Sequence, residues 1–154
     1  MSPPTPAPFG FALPVEPSEL EVKTILLLDD DVELAETLKA LLESHYFIVT
    51  TVSNGAEGFR ETMATDFDVI ICDMLMPTMP GDLFYLAVKK TKPHLAPRFL
   101  FITAHVDHPK VNDFLGSIDA MVMFKPVLSD DLVRMISLVL KRTAALPPGG
   151  DADR

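Results

Sequence analysis

The hydrophobic positions of this chain change period repeatedly, and each change marks an element. Thr24–Leu28 (TILLL) is a short continuous apolar run, the pattern of a strand buried on both faces of a parallel sheet. After it, Leu34, Leu38, Leu41 and Leu42 share one helical face, and Asp31 is placed to cap that helix. Residues 47–52 (FIVTTV) are strand-like and rich in β-branched side chains. Asn54-Gly55 punctuates them, and a helix to about Thr65 follows. Residues 68–72 (DVIIC) predict a third buried strand, ending at Asp73 and a proline-rich loop, with a helix over 81–90 beyond. Residues 98–103 (RFLFIT) and 120–124 (AMVMF) predict the fourth and fifth strands, with a shorter helix over 109–115 between them. Ser129 is placed to cap a last helix running to Arg142, with Leu128, Leu132, Met135, Ile136 and Val139 along one face.

This (βα)5 alternation predicts an α/β fold, a doubly wound parallel sheet with helices on both faces and right-handed crossovers. The ends of the chain follow neither period. Six of the 14 prolines precede Glu21, and proline lacks the donor a helix needs, so residues 1–22 read as an extended or disordered Pro-rich arm. Phe9, Phe11 and Leu13 within it are either docking side chains or part of a leader without function. Residues 144–154 read as a second disordered tail, leaving 23–143 as the folded domain.

Composition narrows the class. Apolar residues make up 48% of the 154, an ordinary globular share, and a chain of this length buries a core without disulfides. A formal net charge of −9 argues against direct nucleic-acid binding, which calls for a basic face. No run approaches the ~18 apolar residues of a membrane span, and no positive leader is present, so a cytoplasmic protein away from membranes is expected. Cys72 is the single cysteine and lies inside a predicted strand, where a buried, inert thiol is expected. His105 and His108 are close but lack a third ligand at supporting spacing, and His45 and His94 near helix ends are expected to be solvated, so no zinc site is read here.

In open parallel sheets the chemistry sits at the carboxyl ends of the strands. Those ends hold Asp29-Asp30, Asp73, Thr103 and Lys125-Pro126, while the second strand ends in the ordinary turn residues Ser53-Asn54. Clustered carboxylates raise one another's pKa, and a divalent cation relieves the repulsion. Oxygen-only ligands suit Mg2+, which takes one or two carboxylates plus phosphate oxygens. A carboxylate beside it can act as nucleophile toward phosphorus, with Lys125 and Thr103 positioned for two further phosphoryl oxygens. Singly, each of these residues is equally well a cap, a turn or a surface charge; their joint occurrence on four strand ends is the signal.

The runs ILLLDDD, VIICDMLMPTMPG, FLFITA and MVMFKPV resemble the receiver domains of bacterial two-component response regulators, over about residues 24–142. The resemblance implies a flavodoxin-like fold with strand order 2-1-3-4-5, an order known for such receivers. It implies Asp73 as phosphoacceptor, Asp30 as direct Mg2+ ligand, Asp29 as a ligand through water, and the Leu75 backbone carbonyl as a further ligand. Thr103 matches the switch hydroxyl, Lys125 the phosphate-binding lysine, and Pro126 a proline that often follows through a cis bond. The implied partners are a sensor histidine kinase or phosphotransfer protein upstream and an unidentified protein downstream. The implied role is a phosphorelay switch, not a conventional enzyme.

Receivers usually carry an aromatic residue three positions before that lysine, where this chain has Val122. Phe124 lies next to Lys125 and is expected on the other face of the strand. Leu75 and His105 match positions flanking the phosphoryl group, and a leucine there predicts slow attack by water. No output module follows Arg142, so a stand-alone receiver is expected, and the last helix reads either as well buried or as a homodimer or docking surface. Two other readings remain. A degenerate receiver would act only as a binding module. A haloacid-dehalogenase-like phosphatase would use Asp29 and Asp31 with Thr103, Lys125 and Asp130-Asp131, but Glu33 stands where its first motif usually has Thr, and Asp73 would have no role.

Overall fold

Strands and helices alternate along residues 22–146, the part of the chain that the computed structural model describes. They are β1 Thr24–Leu28, α1 Val32–Ser44, β2 Ile48–Val52, α2 Gly55–Ala64, β3 Val69–Asp73, α3 Gly81–Thr91, β4 Phe99–Thr103, α4 Pro109–Ser117, β5 Met121–Phe124 and α5 Ser129–Ala144. The strands form one parallel sheet in the order β2-β1-β3-β4-β5. This is the expected doubly wound topology. The proline-rich arm and the C-terminal tail of the sequence reading lie outside the described residues, apart from their inner ends.

The two-residue period of the strands divides the core into two layers. Leu26, Leu28, Ile70, Cys72, Phe99 and Phe101 pack with Phe84, Tyr85 and Val88 of α3 and Val111 of α4, with Phe59 of α2 against them. Ile25, Leu27, Val69, Ile71, Leu100 and Ile102 pack on the other face against Ala35, Leu38 and Leu42 of α1 and Leu132, Ile136 and Val139 of α5. Both faces of the central strands are therefore apolar, which is why those strands read as continuous runs. An aromatic cluster consolidates the first layer: Tyr85 stands edge-on to Phe99 and Phe114, with centroids 4.9 and 5.6 Å away.

The expected cap of α1 forms, and Asn54, read from sequence as a turn residue, caps α2. The Asp31 carboxylate accepts from the Leu34 N–H at 3.1 Å, and the Asn54 side-chain oxygen accepts from the Glu57 N–H at 2.9 Å. At α5 the expectation fails. Ser129 is the first helical residue, and Leu128 occupies the cap position without a side-chain bond. Asp130 and Asp131 in the first turn complement the helix dipole instead. Leu128 is exposed and does not share the buried face. His94 is not free in solvent: its Nε2 lies 2.8 Å from Asp66, whose other oxygen takes the Lys92 ammonium at 2.6 Å. These residues meet because a 3-10 turn, Pro93–Arg98, follows α3 and buries Leu95.

Candidate functional site

The register fixes which strand ends come together. Leu28 of β1 stands opposite Cys72, Asp73 opposite Ile102, and Thr103 opposite Phe124. β3 runs one residue past its apolar run, so Asp73 is the last strand residue and is only 4% exposed. Asp29 follows β1 directly and is anchored by its own N–H, which donates to the Val52 carbonyl at 3.1 Å. One carboxylate oxygen of Asp29 accepts from the Asp31 N–H at 2.9 Å, and the other lies 3.0 Å from the Lys125 ammonium. Asp29, Asp30 and Asp73 each offer an oxygen within 4.8 Å of the others, with Asp29 and Asp73 buried and Asp30 exposed.

Lys125 reaches across the cluster: its ammonium is also 3.4 Å from the Asp73 carboxylate. The Lys125 N–H donates to the Thr103 carbonyl at 2.9 Å, and the Lys125–Pro126 peptide bond is cis. Thr103 is fully buried, and its hydroxyl accepts from the His105 N–H at 3.0 Å, which leaves the hydroxyl proton free to donate. The loop after Asp73 is pinned at both ends: the Gly81 N–H donates to the Met74 carbonyl at 2.9 Å, and the Gly55 N–H to the Met79 carbonyl at 3.1 Å. A side chain at Gly81 would put its Cβ 2.5 Å from the Asp73 carbonyl oxygen. Thr78, at the tip, takes φ of 71°, a strained value for a β-branched residue. The sequence predicts a proline-rich loop here, but nothing in it signals the strain at Thr78.

The electrostatics are unbalanced. Burial, and then the charge of Asp29, push the Asp73 carboxyl up to about 6, with Lys125 opposing only part of this. Burial works against the Lys125 ammonium, but its bonds to Asp29 and the charge of Asp73 more than offset it, and its pKa lies above the ordinary value. Cys72 is fully buried, and burial, with the nearby carboxylates, pushes its thiol well up, so it is inert at neutral pH. Two buried acids, one exposed acid and one shared ammonium make an all-oxygen site with surplus negative charge, and such a donor set fits a hard divalent cation.

Other residues named from sequence fall apart from this cluster. Asp31 spends its carboxylate on the α1 cap. Asp131 pairs with Arg134 at 2.9 Å in the first turn of α5. The phosphatase constellation is thus not assembled. Leu75 is half-buried and packs against the α2–α4 layer, and His105 is exposed. His108 caps α4, its Nδ1 accepting from the Val111 N–H at 3.4 Å. Val122 is opposite Phe101 and packs in the same layer. Phe124 is opposite Thr103 and shares the face of Val122; the expected opposite face holds only relative to Lys125, because residues two apart on a strand point the same way. β5 is an edge strand, and Phe124 at its end is left 52% exposed.

A parallel five-stranded α/β domain with an acid cluster and one lysine at its carboxyl rim defines a class of signalling domain. Residues 25–137 match the response regulator receiver domain, and the chain belongs to that family. It is 31% identical to the response regulator receiver protein CpdR of Brucella abortus over 119 residues, covering 77% of this chain and 98% of that protein. It is 30% identical to the cell cycle transcriptional regulator CtrA of Caulobacter vibrioides, covering 77% of this chain and 51% of that one. The chain thus spans about half the length of the CtrA relatives it matches. A solved receiver domain from Clostridium thermocellum superimposes with a TM-score of 0.73 at 30% identity, covering 82% of this chain and all of that one. The chain is therefore a receiver domain of two-component signalling. Among the described residues, no helix is long and apolar enough to cross a membrane.

Proposed function

We propose that this chain is a cytoplasmic, phosphorylation-dependent switch. It accepts a phosphoryl group on Asp73 from a sensor histidine kinase or phosphotransfer protein, with Mg2+ at the acid cluster, and passes the signal to a downstream protein. The observation that carries this reading is the convergence of Asp29, Asp30 and Asp73 within 4.8 Å, with Lys125 bridging the two buried acids. Asp30 and Asp73 would hold the metal directly, with the Leu75 carbonyl, while Asp29 would act through water. Bound there, the cation supplies neutralising charge for the acids and for the phosphoryl oxygens.

The chain's own residues do the rest. An Asp73 carboxylate oxygen forms the new O–P bond as the N–P bond of a donor phosphohistidine breaks and the imidazole leaves. Lys125 holds one phosphoryl oxygen. Thr103, its proton free while its lone pair accepts from His105, donates to another. Attack of water on phosphorus later breaks the O–P bond, releases inorganic phosphate and restores the carboxylate.

The test is treatment with acetyl phosphate and Mg2+, wild type against Asp73→Asn, read by intact-protein mass spectrometry. The expected result is one phosphoryl adduct on the wild type and none on the variant. An adduct on both proteins, or on neither, overturns the assignment.

A further inference from the structure

Independently of Asp73, the opposite end of the sheet carries an unexplained apolar patch. Helix α1 ends in a left-handed turn: the Tyr46 N–H donates to the Glu43 carbonyl at 3.0 Å, and the Phe47 N–H to the Leu42 carbonyl at 3.2 Å. Such an end favours glycine at the left-handed residue, yet that residue is Tyr46, with φ of 70°. Tyr46 is also 85% exposed, so its ring recovers no burial in return for the strained backbone. Two residues on, Ile48 is 57% exposed at the start of the edge strand β2. Its N–H donates to the Lys23 carbonyl at 3.0 Å, which brings the β1 entrance alongside it, and Val22, next in line there, is 55% exposed. Three large exposed apolar residues, one on a backbone that disfavours it, thus lie along the neighbouring entrances of β1 and β2, where the described chain begins.

We propose that this patch is the docking site of the chain's own N-terminal segment, residues 9–15 (FGFALPV). That segment is apolar, with Phe9, Phe11, Leu13 and Val15, and no side chain before Glu16 carries a charge. It is tethered at the patch itself, through residues 16–21, which span roughly 20 Å when extended, enough for the segment to fold back. Three side chains fall well short of the about 800 Å² per partner that a stable dimer buries, so a free second copy is poorly served by this patch. A tethered occupant needs far less, because its effective concentration is roughly millimolar. Proline in the segment and before it limits the conformations lost on docking.

The full-length chain carrying a nitroxide on Thr5→Cys tests this, since the only native cysteine, Cys72, is buried. In 15N spectra, the amides of Tyr46 and Ile48 are expected to lose most of their intensity relative to the reduced sample, while those of Asp30 and Thr103 keep theirs. Adding Tyr46→Gly and Ile48→Thr is expected to restore the signals. Undiminished Tyr46 and Ile48 signals would overturn the proposal. So would broadening that appears when spin-labelled 14N protein is mixed with unlabelled 15N protein, which would assign the patch to a second copy.

Discussion

At the scale of single residues, Asp73 holds a carboxyl group where burial and Asp29 both oppose its charge. With the folded value raised to about 6 from 3.8, folding is favoured by the protonated form. That contribution is fully present below about pH 4 and is lost as pH rises through about 6. Linkage sets the cost at neutral pH at about 2–3 kcal/mol. Asp73→Asn, which does not titrate, is therefore expected to stabilise the metal-free protein by that amount at pH 7.5 and by nothing at pH 3.5. Denaturant melts in EDTA at the two pH values check this; an unchanged midpoint at pH 7.5 contradicts it. A second residue-scale prediction concerns Leu75. If it flanks the phosphoryl group, as the receiver resemblance implies, its apolar side chain offers water no hydrogen-bonding partner there, so the label is expected to persist for minutes or longer, and loss within seconds opposes this. Asp73, Thr103 and Lys125 were legible because each follows an apolar run. The pairing of His94 with Asp66 was not, because only the 3-10 turn brings the two together across 28 residues of sequence.

At the scale of elements, caps and close approaches set the site's frame. Asp31→Ala removes the α1 cap and is expected to cost about 1 kcal/mol in thermal or denaturant melts. It should leave labelling by acetyl phosphate intact, which separates Asp31 from its neighbours Asp29 and Asp30. Gly81→Ala places a methyl group against the Asp73 carbonyl and is expected to cost about 1–3 kcal/mol, since backbone on both sides must shift. Strand and helix identities were readable from period alone. The start of α5 was misread because any Ser before an apolar stripe resembles a cap, and whether its hydroxyl meets a backbone N–H depends on how the chain enters the helix. Phe124 was misplaced for a different reason: its face was counted from Lys125, whereas counting from Val122, two residues away, puts both on one face, and only the sheet's edge leaves that face open at Phe124.

At the scale of the whole molecule, the sheet brings Asp29, Asp73 and Lys125, which are far apart in sequence, into one cluster. If the cluster holds Mg2+, the metal binds the folded chain alone and stabilises it by mass action, about 2.7 kcal/mol at one hundred times the dissociation constant. Mg2+ is accordingly expected to raise the melting temperature of the wild type over EDTA and to leave that of Asp30→Ala unchanged; an equal rise in both contradicts the ligand assignment. The alternation of elements, the two-sided burial of the central strands and the residue types at their ends are already present in the order of residues, because these depend on local period and on which side chains avoid water. The tertiary structure alone decided the distances among the acids, the unbalanced charge around Asp73, the bridge from Lys125 and the exposure of Tyr46, Ile48 and Phe124. Those depend on strand register, crossover path and sheet edges, which are set by contacts between residues far apart in the chain.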